Sequence, residues 1–355
     1  MIVIADDITG AAEIAGIAFS KGQEVRLVCG GEESGCGTTT NGTTVIATDT
    51  RSMTEAEAIA ETRRITSNIR HQPSAFFKKT DSALRGHVVA ELTALMETTG
   101  YQRAVYLPAN PSKGRIIRGG TYYINGKPIH ETDFSFDPEF PAKTSVLKER
   151  FPDAETKCII MPDAESEEDI RNIIAQYNDG KTLFAGAADL FSALLNSQGD
   201  NPLDSTIISK ASKLSETLIL CGSTQSKPLD LGIPIAPMPR AIYDGNDDIS
   251  LWDTNDYAKA HSLILTMPYT HRTGKKAAVH LRNIMARKAK ELIAQHCPKH
   301  LIIEGGATAW ATLQALGWTD FTITAQLAPG VVQMSATNGT LVTLKPGSYP
   351  WGNLF

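Results

Sequence analysis

Short apolar runs recur along the chain, and each stops on a polar residue or a glycine instead of a hairpin turn. "MIVIA", "EVRLVCG", "TTVIATD", "AFFKKTD", "RAVYLPAN", "KCIIMPDA", "TLFAGAAD", "TLILCGS", "SLILTMP", "HLIIEGGAT" and "TLVTLKPGS" all have this form. Between several of them lie stretches with helical spacing of apolar residues, such as "TEAEAIAETRRITSNIR", "ALRGHVVAELTALMETTG" and "AVHLRNIMARKAKELIAQH". Strands alternating with helices predict an α/β fold, a mostly parallel sheet covered by helices. At 355 residues the chain exceeds one comfortable core, so two such domains are expected. The polar interval "NSQGDNPLDS" at 196–205 marks their join, giving domains 1–208 and 209–355. The Pro-, Asp- and Gly-rich stretch "PIAPMPRAIYDGNDDISLWDTND" reads as a long surface connection.

Composition narrows the function classes. A net charge of -5 argues against nucleic acid as a partner, because phosphate backbones need a basic face. The five cysteines (Cys29, Cys36, Cys158, Cys221, Cys297) are scattered, with no C-x-x-C pair, as expected of free thiols in a reducing compartment. No apolar run approaches the ~20 residues of a membrane span. The start also lacks a basic region followed by an apolar core. The expectation is a cytoplasmic protein with no nucleic-acid or membrane partner; a homo-oligomer stays open.

Open α/β sheets bind ligands beyond the carboxyl ends of their strands, so the run-ending residues are the candidates. In the first half these are "ADDITG", "TDTRS", "KKTDSALRG" and "PANPSKGR". They place Asp6, Asp7, Asp49, Arg51, Lys79, Asp81, Arg85 and Asn110 along one sheet edge; of Lys78 and Lys79, which alternate faces, Lys79 is nearer the strand end. Arginine suits bidentate recognition of a carboxylate, and aspartates suit sugar hydroxyls or act as a base toward an alcohol. The pattern reads as a pocket for a small polyhydroxylated acid. The plain alternative is that an Asp or Thr of "ADDITG", with Asp49 and Asp81, caps helices and that Arg51 or Arg85 pairs with them.

In the second half the glycines stand out: "LILCGST", "LIIEGGATAWATL", "LAPGVV" and "LKPGSYPWG". Glycine after a buried strand lets the backbone approach a phosphate, and a following helix offers its N–H groups. There is no G-x-x-x-x-G-K-[ST], and no G-x-G-x-x-G follows a strand. "HCPKH" brings His296, Cys297 and His300 close in sequence, but no second ligand cluster follows.

Together these motifs resemble the four-carbon acid sugar kinase family. The resemblance spans nearly the whole chain. It rests on "ADDITGA", "DTRS" at 49–52, "KKTDSALRG" at 78–86, "GGTYYINGKPIHETDFSFDP" at 119–138, "CGST" at 221–224, "EGGATA" at 304–309 and "APGV" at 328–331. It implies an N-terminal domain for the sugar acid, a C-terminal domain for ATP, and a reaction in the cleft between them. ATP with Mg2+ would phosphorylate the terminal hydroxyl of threonate, erythronate or a keto relative. Carried over by position, Ser223, Gly305, Gly306, Ala307, Thr308 and Gly347 contact the nucleotide. Asp6, Asp7, Arg51, Lys79, Asp81 and Arg85 face the acid, with Asp81 first and Asp7 second as general base; no residue is assigned to a metal. Glu13 stands in "AEIAG" where many relatives have an aspartate. Two rival readings remain: a metal-dependent sugar-acid dehydratase, isomerase or aldolase, and a non-catalytic sugar-acid sensor.

Overall fold

The computed structural model describes residues 1–30, 42–69, 75–137, 139–197, 215–223, 229–268, 274–347 and 351. The chain divides into two compact units. Unit 1 is Met1–Val25 with Gly30–Leu203, and unit 2 is Arg26–Cys29 with Asp204–Phe355. The join expected at 208/209 lies outside the described residues.

Unit 1 runs through β1 (Ile2–Ala5), α1 (Ile8–Ser20), the start of β2 (Glu24–Cys29), β3 (Gly42–Ala47), α2 (Glu55–Ile69), β4 (Phe76–Lys79), α3 (Val88–Thr99) and β5 (Arg103–Leu107). It continues with β6 (Arg115–Arg118), β7 (Thr121–Ile124), β8 (Lys127–Pro128), α4 (Leu147–Arg150), β9 (Ile159–Ile160), α5 (Glu167–Tyr177), β10 (Thr182–Gly186) and α6 (Ala188–Ser197). Its main sheet has the order β3-β1-β4-β10-β5-β9 and is parallel throughout. Every residue of β1, β4 and β10 is buried, which is why these strands read as unbroken apolar runs. The register sets Ala5 beside Ala47 on one side and Lys79 on the other. The residues that follow, Asp6-Asp7, Thr48–Arg51 and Thr80-Asp81, therefore leave the sheet together at one edge. A second, antiparallel sheet β6-β7-β8 is built from the segment that includes "GGTYYINGKP".

Unit 2 contains β11 (Thr217–Cys221), β12 (Ile235–Pro237), α7 (Arg240–Tyr243), α8 (Asp256–Ala260), β13 (Leu263–Thr266), α9 (Lys275–His296), β14 (His300–Glu304), α10 (Gly306–Leu316), β15 (Asp320–Ala328), β16 (Val331–Ala336) and β17 (Leu341–Lys345). Strands β12-β13-β11-β14-β17 are parallel. Strands β16 and β15 extend the sheet antiparallel, and Arg26–Thr322 and Val28–Asp320 pairs add the end of β2.

Three expectations need correction. The helix read over "ALRGHVVAELTALMETTG" begins only at Val88, because Leu84 (φ 62°) and Gly86 (φ 96°) adopt left-handed backbone that a helix cannot contain. The stretch read as a long surface connection folds instead into β12, α7 and a 3-10 turn. It buries Met238, Ile242, Tyr243 and Trp252, whose indole N–H donates to Ala236 O at 3.2 Å. The glycine of "LAPGVV" is a hairpin turn: Gly330 (φ 76°) joins β15 to β16.

Candidate functional site

In unit 1 the strand ends converge on Arg51. Asp7 caps α1, its Oδ1 accepting from Gly10 N at 2.8 Å and its Oδ2 from Thr9 Oγ1 at 2.7 Å. The first turn of α1 is thus closed by the protein's own carboxylate. Gly10 is required there, since a Cβ would lie 2.7 Å from Asp7 Oδ1 and 3.2 Å from Lys79 Nζ. Arg51 donates from Nε and Nη2 to the two oxygens of Asp6 (3.0 and 2.9 Å) and from Nη1 to Asp7 Oδ2 (2.9 Å), with Asp81 Oδ1 at 3.6 Å. The planar guanidinium makes this possible, because one fork can serve two carboxylates.

Asp81 in turn accepts from Ala83 N at 2.9 Å and from Arg85 Nε and Nη2 at 2.8 and 2.9 Å. Arg85 Nη1 reaches Asp137 at 3.4 Å. Lys79 donates to Thr80 O and lies 3.5 Å from Glu13, which also pairs with Lys113. Lys78 leaves on the other face and forms a fully buried pair with Glu91, which also accepts from Thr50 Oγ1 at 2.8 Å. Asp49 accepts from Ser52 Oγ, and Asn110 Oδ1 accepts from Asp189 N, so both do local structural work.

These contacts fix charge states. Burial pushes the Asp81 carboxyl up, but Arg51 and Arg85 outweigh it and hold the group far below the usual carboxylate range. Asp7 is also lowered: against burial stand Arg51, Lys79 and its hydrogen bonds to Thr9 and Gly10. Asp6 moves the other way, raised by burial, with Arg51 pulling down and neighbouring Asp7 adding to the rise.

Unit 2 gathers its polar ends differently. β11, β14 and β17 are adjacent, with Cys221 beside Glu304 and Glu304 beside Lys345. The loops that follow meet at glycines. A Cβ on Gly222 would lie 2.0 Å from Thr308 Oγ1, and one on Gly347 would lie 2.5 Å from Ser223 Oγ. Gly305 (φ 96°) adjoins Gly222 and Ser223 and starts α10, where Gly306, Ala307 and Thr308 form the first turn with no side-chain cap. Open N–H groups at a helix start beside close-packed backbone suit a phosphate. Beneath them Glu304 and Lys345 form a buried pair, and Lys345 Nζ sits 4.7 Å from the Trp351 ring centroid. Thr224 of "CGST" lies outside the described residues.

The His and Cys residues of "HCPKH" have structural roles. His296 packs on Tyr257, Cys297 caps α9, and His300 bonds Thr343 Oγ1 at 2.8 Å. Cys29, Cys158, Cys221 and Cys297 are free thiols; Cys36 lies outside the described residues. No helix among the described residues is long and apolar enough to cross a membrane.

Sequence reasoning did not single out Lys113, Arg115, Phe134, Asp137 or Gly222 for the site. "PANPSKGR" carried two of them in plain view. Phe134 and Asp137 come from the "NGKPIHETDFSFDP" stretch, which folds so that Phe134 underlies both Arg85 and Arg115, each 5.8 Å from its ring centroid.

A charge nest at the strand ends of one α/β unit and a glycine cradle at those of another define a two-part ligand-handling protein, one part suited to a polar organic acid and the other to phosphate. Comparison with known proteins agrees with that division. A sugar-binding N-terminal domain family matches residues 1–153, and a nucleotide-binding C-terminal domain family matches residues 254–349. The chain is 35% identical over 135 residues to a D-threonate kinase of Cupriavidus necator; this covers 37% of the chain and 31% of that protein, about a third of the relative's length. It is 24% identical over 404 residues to a 3-oxo-tetronate kinase of Brucella melitensis, covering 98% and 92% of the two chains. A solved Haemophilus influenzae structure shares the fold, with a TM-score of 0.74 at 20% identity over 100% of this chain and 98% of that one. The chain belongs to the four-carbon acid sugar kinase family.

Proposed function

We propose that the protein transfers the terminal phosphoryl group of ATP to the terminal hydroxyl of a four-carbon sugar acid: threonate, erythronate or a keto relative. The observation that carries the reading is the cradle in unit 2, where at three adjacent strand ends Gly222 and Gly347 leave no room for a Cβ and Gly305 takes a positive φ of 96°. In this reading Ser223, the 305–308 turn and Gly347 surround the phosphates, and the Asp6, Asp7, Arg51, Lys79, Asp81 and Arg85 nest holds the acid. Relatives named as kinases of such acids support the substrate class. Phosphoryl transfer asks for positioning and charge neutralisation more than covalent chemistry, and a nest of fixed ion pairs supplies both. Magnesium would enter on the ATP phosphates; among the described residues no three His, Cys, Asp or Glu side chains group to hold a metal.

Of the three aspartates on Arg51, Asp7 has the most exposed side chain (18%, against 10% for Asp81 and 3% for Asp6). Both carboxylates have both oxygens engaged, those of Asp81 by Arg85 and those of Asp7 by Gly10, Thr9 and Arg51, so exposure is what separates them. Asp7 is therefore the better acceptor for the hydroxyl proton, and Asp81 the anchor of Arg85, the reverse of the order read from the sequence.

The test is ADP release from Mg-ATP with D- and L-threonate, D- and L-erythronate, 3-oxo-tetronate, and glycerate as a three-carbon control. Acid-dependent ADP, with a product heavier by one phosphoryl group, is expected. Consumption of an acid without nucleotide would favour the dehydratase, isomerase or aldolase reading instead. Acid binding with no turnover would favour a sensor.

A further inference from the structure

Among the described residues most cations around the strand ends of unit 1 pair with the protein's own carboxylates; Arg150 instead donates to the Leu84 and Pro141 carbonyls, and Arg115 alone keeps a fork edge unused. Arg51 is occupied by Asp6 and Asp7, Arg85 by Asp81 and Asp137, and Lys79 and Lys113 by Glu13. Arg115 has no carboxylate partner among the described residues: its Nη1 donates to Ser82 Oγ and its guanidinium lies over Phe134. Nε and Nη2 carry no hydrogen bond to any described residue. Arg115 is nonetheless half-buried and held in place. Ser82 directly follows Asp81, and its carbonyl accepts from the buried Tyr122 hydroxyl, so the group that fixes Arg115 belongs to the loop that carries Asp81 and Arg85. Phe134 serves both guanidiniums, covering one side of each.

A half-buried guanidinium with one fork edge unused, beside a second arginine, is complementary to a carboxylate. We propose that Arg115 receives the carboxylate of the sugar acid and thereby sets the preference for acids over the corresponding sugar alcohols; the proposal rests on the kinase reading above and names which end of the substrate this residue holds. It also gives the "NGKPIHETDFSFDP" stretch a task, that of supplying Phe134 as the floor of the anion site. A polyol would leave the Arg115 fork without its anionic partner. A site built to bond a group discriminates strongly against the analogue that lacks it.

The experiment compares wild type, Arg115→Met and Arg115→Lys in kcat/KM for the best four-carbon acid and for the tetritol of the same configuration, with the Kd for ATP measured alongside. Arg115→Met is expected to lower kcat/KM for the acid by about 10²-fold or more, mainly through KM, while the tetritol value and ATP affinity hold, so the acid-to-tetritol ratio collapses. Arg115→Lys keeps the charge without the fork and is expected to restore part of that ratio. A merely structural role would lower both substrates together and leave the ratio unmoved; that result overturns the assignment while the kinase reading stands. If wild type phosphorylates no acid on the panel, the kinase reading fails and the assignment falls with it. Should Arg115→Met fail to fold, Arg115→Lys is read against wild type by the same ratio, which is expected to drop; an unchanged ratio overturns the assignment.

Discussion

At the carboxyl ends of β1, β3 and β4 the polar residues are held in place by charge, whereas at those of β11, β14 and β17 they are held by how closely backbone approaches backbone. In unit 1, Arg51 gathers Asp6, Asp7 and Asp81, and each ion pair is long-ranged and forgiving of a few tenths of an ångström. In unit 2, Gly222 and Gly347 pack where a single methyl group would collide with Thr308 and Ser223. The difference fits two ligand chemistries. A small acid with several hydroxyls needs directional side-chain partners, while a phosphate needs N–H groups that only bare backbone can bring close. It also predicts opposite weaknesses: unit 1 should be sensitive to charge, unit 2 to volume.

The largest effect is expected at Gly222→Ala. The new Cβ would lie 2.0 Å from Thr308 Oγ1 and 2.6 Å from Thr308 Cβ, and Thr308 is buried in the first turn of α10, so the turn itself must move. Turnover with ATP should fall by about 10²-fold or more, since a displacement near 1 Å at a positioning element costs that much. Calorimetric affinity for the acid without nucleotide should not change. Full ATP affinity in this variant would break the comparison. Gly347→Ala meets a side chain, Ser223, and should be milder.

Next is Arg51→Met, which tests the charge side. It leaves Asp6, almost wholly buried, and Asp7 without their shared cation, a loss of about 3–5 kcal/mol in unfolding free energy, read from denaturant midpoints. The pH dependence gives a sharper form. With Arg51 gone, burial and Asp7 keep the folded-state Asp6 above its unfolded value, so the folded state binds the proton more readily and the deficit should shrink as pH falls. Wild type should behave oppositely through Asp81. Its folded carboxyl is held down, so the stability it contributes is present above the ordinary carboxylate range and is lost as pH falls below it. A deficit in Arg51→Met that is flat from pH 7 to pH 4 would contradict the buried-carboxylate account.

Much of this architecture was legible in the sequence for one reason: parallel strands buried on both faces write themselves as apolar runs, and the residues after each run are the sheet edge where ligands bind. Hence "VIA" before Asp6-Asp7 and "FFKK" before Asp81 were readable. What failed had long-range causes. Phe134 and Arg115 are 19 residues apart, and Arg115 meets Ser82 across 33, so no local pattern links them. The requirement for glycine at 222 is created by Thr308, on a different loop. Gly330 was misread because a hairpin glycine and a phosphate-loop glycine look alike until β15 and β16 are seen to pair antiparallel. The 234–256 segment was misread because its prolines and aspartates outweighed the residues it buries, among them Met238, Ile242, Tyr243 and Trp252.

The smallest effect separates the units by acid sensitivity. His300 opens β14, is buried, and bonds Thr343 Oγ1 at 2.8 Å; burial pushes its pKa down to about 4. The unfolded chain binds a proton at this histidine below about pH 6.5, while the folded chain resists until about pH 4. The stability it permits is therefore whole above pH 6.5 and is lost as pH falls from there toward 4. That window lies above the one in which Asp81 acts, so mild acid should weaken unit 2 before the carboxylate nest of unit 1 is touched. All four tryptophans (Trp252, Trp310, Trp318 and Trp351) belong to unit 2, which makes indole fluorescence a reporter of that unit. Denaturant midpoints followed by tryptophan emission should decline between pH 6.5 and 4.5 in wild type. The decline should flatten in His300→Gln, whose amide can still bond Thr343 but does not titrate. Equal slopes in the two proteins would mean that the acid sensitivity of unit 2 does not come from His300.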